Sequence, residues 1–105
     1  RQDLQLPKGK VAAQVAHASV TCYSKAGFLK RNKWMKTGMK KIVLKVKTVD
    51  ELQDIKKRAK KKGLTTALIA DAGHTVVEAG TITCLGIGPD EDALIDTVTG
   101  ELQML

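Results

Sequence analysis

Lys10, Gln14, His17 and Thr21 are separated by four, three and four residues, a spacing that lines them up on one stripe of a helix. Ala12, Ala13 and Ala16 lie beside that stripe, and side chains this small leave room for a ligand to approach. The same pattern also describes an ordinary amphipathic boundary between a buried and a solvated face. A lysine near the start of a helix sits where the macrodipole disfavours an extra positive charge. Lys10 could there accept a proton from water or, remaining charged, stabilise the oxyanion formed when an ester carbonyl is attacked. The sequence leaves both roles open. Histidine is the usual general base near neutral pH, but His17, within Val15-Ala-His-Ala18, equally suits a hydrogen-bonded residue lining the core.

Asp71 ends a β-rich run and opens Asp71-Ala-Gly-His-Thr75, where Gly73 permits a tight turn of the kind that presents side chains toward a site. An Asx turn accounts for the same residues. Close to Lys10, Asp71 would fix the lysine's orientation and polarise water. The hydroxyls of Thr75 and Thr83 can donate and accept, which suits holding a water or a ribose hydroxyl, although Thr83 in a strand also serves packing. Gly86-Ile-Gly-Pro89 resembles a phosphate cradle, but Asp90, Glu91 and Asp92 follow it and would repel a phosphate, so helix capping is the expected role. Gly-x-x-x-x-Gly-Lys-Ser/Thr, His-Glu-x-x-His and Gly-x-Ser-x-Gly patterns are absent from the sequence. Cys22 and Cys84 belong to no Cys-x-x-Cys pair and read as two buried thiols. No metal or organic cofactor is implied.

Three stretches, Lys8-Gly-Lys-Val-Ala-Ala-Gln14-Val-Ala-His17-Ala, Asp71-Ala-Gly-His-Thr75 and Gly80-Thr-Ile-Thr83-Cys-Leu-Gly-Ile-Gly-Pro89, occur in that order before a closing Val98-Thr-Gly-Glu-Leu-Gln-Met-Leu105. Together they resemble the peptidyl-tRNA hydrolases of the archaeal and eukaryotic type, across essentially the whole chain. The resemblance implies hydrolysis of the ester between an N-blocked peptide and the 3′-terminal ribose of tRNA. Lys10, Asp71, Thr75 and Thr83 would be catalytic, and Gln14 and His17 would contact the substrate. It also implies a short apolar strand before Arg1 that this chain lacks, leaving an exposed sheet edge or slot. The alternative of another class is a non-catalytic RNA-binding or adaptor domain on the same fold. A DNA-binding module would need a helix-turn-helix or a dimeric basic region, and neither signal is present.

The composition fits an RNA partner reached through phosphates. Lysines concentrated in 25–47 and 56–62 bring the formal charge to +7, a field that attracts polyanions, though lysines on helix surfaces are also simply solvated. Lys30, Lys33, Lys36 and the 56–62 run are the candidates for backbone contacts. Tyr23, Phe28 and Trp34 are the only aromatic residues, a scarcity that disfavours base stacking on a sheet. No run is apolar enough to cross a membrane, so a cytoplasmic protein is expected, with a homodimer left open.

The positioning elements follow from pattern. The 105 residues suit one domain over 1–105. Pro7 opens a helix expected to run from Lys8 to about residues 30–32, with Gly27 its weak point, and 32–40 reads as a connection. Residues 41–47 alternate like a strand. Thr48 and Glu51 form a capping box for a helix burying Leu52, Ile55 and Ala59 and stopped by Gly63. Strands are expected at 66–70 and 81–87, with a last helix from Pro89 to about Val98. Strands alternating with helices make an α/β fold, a three-layer α/β/α sandwich around a small mixed sheet.

Overall fold

The computed structural model describes residues 1–73 and 77–105. Its elements are α1 (Lys8–Lys25), α2 (Phe28–Lys36), α3 (Val49–Lys61), β1 (Thr66–Ala70), β2 (Ile82–Ile87) and α4 (Asp92–Thr99). The fold is a small α/β fold, as expected. The helix expected to reach residues 30–32 is two helices. Ala26, buried at 7% exposure, and Gly27 both take extended backbone with ψ near 150°, which turns the chain one residue before the glycine and starts α2. The expected connection at 32–40 is therefore helical to Lys36, and it leaves α2 through left-handed Gly38 (φ 101°) and Met39 (φ 53°).

α3 forms where its capping box lies. Glu51 N–H donates to Thr48 Oγ1 at 3.3 Å, while the Glu51 carboxylate accepts from Lys47 N–H at 3.1 Å. Leu52, Ile55 and Ala59 are buried. Gly63, at φ 75°, closes the helix in the left-handed conformation that only glycine adopts without cost.

β1 and β2 pair antiparallel, from Thr66 opposite Ile87 to Ile69 opposite Cys84, with an irregularity before Ala70. The expected mixed sheet is not formed among the described residues. The run at 41–47, expected to be a strand, makes an isolated antiparallel bridge between Leu44 and Met104 among the described residues. A strand needs a ladder of neighbouring backbone, and here the neighbours are two short ends. Lys45 N–H and Leu105 N–H bond Gln103 and Val43 carbonyls at 3.0 Å, and Gln2 N–H bonds the Val46 carbonyl at 2.8 Å. Between this run and the outer edge of β2 lies a groove of about 480 Å³ whose walls include Val15, Cys22, Leu44, Leu85 and Ile95.

Strand alternation divides the core into two clusters. Ala67, Ile69 and Cys84 pack with Ala18 and Cys22 of α1; Leu85 and Ile87 pack with Ile55, Ala59, Leu64 and Val98, the side of α3 and α4. Gly86 is what lets α1 approach, because a Cβ there would lie 2.6 Å from Cys22 Sγ and 3.1 Å from the Ala18 carbonyl oxygen. Gly86→Ala is expected to destabilise the protein by about 1–3 kcal/mol through overpacking. A thermal melt checks this, and a midpoint equal to the parent's would mean that α1 retreats without cost. Among the described residues, no helix is long and apolar enough to cross a membrane.

Candidate active site

Lys10 belongs to the first turn of α1, which carries no acidic residue and no side-chain cap. The missing negative charge comes from elsewhere: Asp71, the residue after β1, forms an ion pair with Lys10 through Oδ1, their side chains 3% and 15% exposed respectively. Asp71 is fixed by its backbone, whose N–H donates to the Thr81 carbonyl and whose carbonyl accepts from Gly80 N–H, both at 2.8 Å. Its Oδ2 accepts from Gly73 N–H at 2.6 Å. The Asx turn and the approach to Lys10, two readings of one residue, are thus both realised, one on each carboxylate oxygen. Gly73 is required here, because at φ 82° a Cβ would sit 2.7 Å from the Ala79 Cβ.

One turn along α1, Gln14 Nε2 donates to Thr83 Oγ1 at 2.6 Å, and that hydroxyl donates to the Ile69 carbonyl at 3.3 Å. Gln14 and Thr83 are 4% and 2% exposed. This buried chain ties the first turns of α1 to both strands, reaching β1 two residues before Asp71. A hydroxyl so enclosed, donating to one group and accepting from another, positions its neighbours; it is not presented to a substrate.

The chain matches the peptidyl-tRNA hydrolase PTH2 family over residues 1–105. It is 48% identical to the peptidyl-tRNA hydrolase of Methanothermobacter thermautotrophicus over 105 residues, covering 100% of this chain and 94% of that protein. It is 49% identical to that of Thermoplasma volcanium over 108 residues, covering 100% and 92%. The chain belongs to the peptidyl-tRNA hydrolase PTH2 family.

The other residues expected at a PTH2 site are less closely grouped. Thr75 and His74 lie outside the described residues. His17 is exposed on α1, so of the two readings left open for it the core-lining one does not hold. It shares the open face of the helix with Ala12, Ala13 and Ala16, all exposed. Lys30, Lys33 and Lys36 sit on α2, at the other end of the sheet. The direction of α1 fixes this: Lys10 meets the residue after β1, whereas Lys25 Nζ donates to the carbonyl of Thr66, where β1 begins, at 2.5 Å. Roughly 22 Å of helix axis separates the two lysines at 1.5 Å per residue.

Lysines of α2 and of the segment after it are also partly neutralised. Lys30 pairs with Asp90, Lys33 with Glu91 at 2.6 Å, and Lys40 with Asp92 at 2.9 Å. The three consecutive acids thus serve as counterions for lysines, and the N-cap residue Glu91 makes no side-chain capping bond, contrary to the capping expected, although Asp92 does place a negative charge in the first turn of α4. Burial pushes the Asp90 carboxyl up, but the bonds from Lys30 and Glu91 N–H outweigh it and hold the group below its ordinary value.

Arg1 and Asp3 were not among the expected site residues. Arg1 grips the Asp3 carboxylate through Nε at 3.0 Å and Nη2 at 2.7 Å, and its Nη1 donates to the Ile82 carbonyl at 3.0 Å. The fork pins the lead-in to α1 onto β2 beside Thr83. Opposite charges two residues apart were the available signal. Both cysteines are free, and burial pushes both thiols up, away from the thiolate a nucleophile requires. Among the described residues, no group of His, Cys, Asp and Glu could hold a metal.

Proposed function

We propose that the Lys10–Asp71 pair carries the reaction of the family, hydrolysis of the ester joining an N-blocked peptide to the 3′-terminal ribose of tRNA, within a single domain over residues 1–105. The observation behind this reading is that ion pair, held at the end of β1 beside the open alanine face of α1. Of the two roles considered for Lys10, oxyanion stabilisation fits an ammonium already directed by a carboxylate. Asp71 orients the ammonium and polarises the attacking water. The water oxygen bonds to the carbonyl carbon, the bond between that carbon and the ribose oxygen breaks, and the proton shed by the water passes to the ribose oxygen, giving a peptide carboxyl group and a free ribose hydroxyl. Gln14 and Thr83 hold the pair in register, Thr75 is assigned a catalytic role by its motif, and His17 contacts the substrate. The setting is translation in the cytoplasm. Release of an N-blocked amino acid from tRNA, measured with and without a chelator, tests the reading. Turnover unaffected by the chelator is expected, and the absence of turnover would leave the adaptor alternative.

The RNA backbone is held by lysines remote from the ester. Lys57, Lys60, Lys61 and Lys62 are exposed at the end of α3, and Lys36 is exposed on α2. None of these five forms an ion pair among the described residues. Lys30 and Lys33 must exchange a carboxylate for a phosphate, so they contribute less. Lys36→Ala should shallow the log–log salt dependence of tRNA affinity by roughly 0.7–0.9 if it makes one contact. It should raise KM more than it lowers kcat, because distant phosphates are held equally in ground and transition states. Binding indifferent to salt would place the RNA on another surface.

A further inference from the structure

The chain has three aromatic residues, and folding brings all of them to one surface. Tyr23 near the end of α1 and Trp34 on α2 have ring centroids 6.3 Å apart, tilted by 44°. The guanidinium of Arg31 lies 5.4 Å from the Tyr23 centroid and 6.0 Å from that of Phe28. The ammonium of Lys41 lies 5.0 Å from the Trp34 centroid. Despite these contacts Phe28 remains 65% exposed and Tyr23 38%, and Val20 and Leu29 beside them are 67% and 81% exposed. None of the three rings is buried: Tyr23 and Phe28 are exposed and Trp34 is half-buried. Nor are the cations neutralised: Asp90, Glu91 and Asp92 are engaged by Lys30, Lys33 and Lys40. Among the described residues, Arg31, Lys36 and Lys41 form no ion pair.

We propose that the surface formed by Tyr23, Phe28, Arg31 and Trp34 is a second RNA site, which binds unpaired bases by stacking. That the ligand is RNA rests on the function proposed above; the place and the mode of binding rest on the clustering of rings and cations. Every base presents a π-face to an aromatic ring or a guanidinium plane, and flanking phosphates meet the unneutralised cations. A duplex hides its base faces, and an acidic polypeptide would satisfy the charges without using the rings. Tyr23 lies roughly 20 Å beyond Lys10 along α1, so the nucleotides held here are not those carrying the ester.

Trp34 is the only tryptophan, so its emission reports on this surface alone. Titration with a short single-stranded RNA oligomer should quench it saturably, and less at high salt. Phe28→Ala and Arg31→Ala should each weaken that binding by about fivefold or more, the loss expected for one stacked base. Phe28 is exposed enough for the variant to stay folded, which a thermal melt verifies. Hydrolysis of an N-blocked aminoacyl ester on a short 3′-terminal RNA fragment should be unchanged in both variants. Absence of quenching in a protein that hydrolyses this ester overturns the second site alone. Quenching in a protein that does not hydrolyse it overturns the assigned reaction alone. Duplex RNA binding as tightly and insensitive to Phe28→Ala, or polyglutamate replacing RNA with the same sensitivity, also overturns the stacking site.

Discussion

Lys10→Ala and Asp71→Ala are each expected to lower the rate of peptidyl-tRNA hydrolysis by about a hundredfold or more, with little change in tRNA affinity. That size is typical when a positioned electrostatic or proton-transfer group is lost. The two side chains face each other with 15% and 3% exposure, so removing either strands the other in a poorly hydrated place. Breaking a buried pair can cost about 3–5 kcal/mol of stability, and the rates must be compared well below each variant's melting temperature. Asp71→Asn provides a control. It preserves much of the shape and the capacity to accept from Gly73 N–H while removing the charge that directs Lys10, so its rate should fall nearly as far as that of Asp71→Ala. A Lys10→Ala protein with the parental rate would falsify the assignment. His17→Ala should change the rate far less, because that side chain is exposed and makes no hydrogen bond among the described residues.

What the sequence made legible is what depends on near neighbours. Thr48 and Glu51 announce α3, and Leu52, Ile55 and Ala59 mark its buried side, because capping and helical periodicity act within a few residues. The alternation in 41–47 reads as a strand, but the run forms only the isolated bridge at Leu44 among the described residues. Whether such a run becomes a strand depends on what lies beside it, and among the described residues its backbone bonds run to residues 2–3 and 103–105 alone. The break after α1 has a local sign in Gly27, but its position follows from Ala26 entering the core. The pairing of Lys30 and Lys33 with Asp90 and Glu91 joins residues about sixty positions apart, which no local pattern reveals. The same is true of three scattered aromatic residues meeting on one surface. The candidate site was legible through motif order, which singled out Lys10, Gln14, Asp71 and Thr83, but motif order does not separate a residue that faces substrate from one that holds another in place.

Thr83 is where that distinction has the largest consequence. Thr83→Val keeps the shape of the side chain and removes the hydroxyl. It leaves the Gln14 amide and the Ile69 carbonyl without the partner each has at 2.6 and 3.3 Å. An orphaned buried polar group costs about 1–3 kcal/mol, and a misplacement of about 1 Å at a reacting group can cost a hundredfold in rate. The expected result is a less stable enzyme whose kcat falls by about tenfold or more with KM nearly constant. Thr83→Ser, which retains the hydroxyl, should stay within a few-fold of the parent. Gln14→Leu combined with Thr83→Val removes both partners at once, so the double variant should lose less stability and less rate than the two single changes together. Strictly additive losses in both measurements would mean that Gln14 and Thr83 act separately. Thr83 would then need a direct contact with substrate that a side chain 2% exposed does not offer without rearrangement of β2.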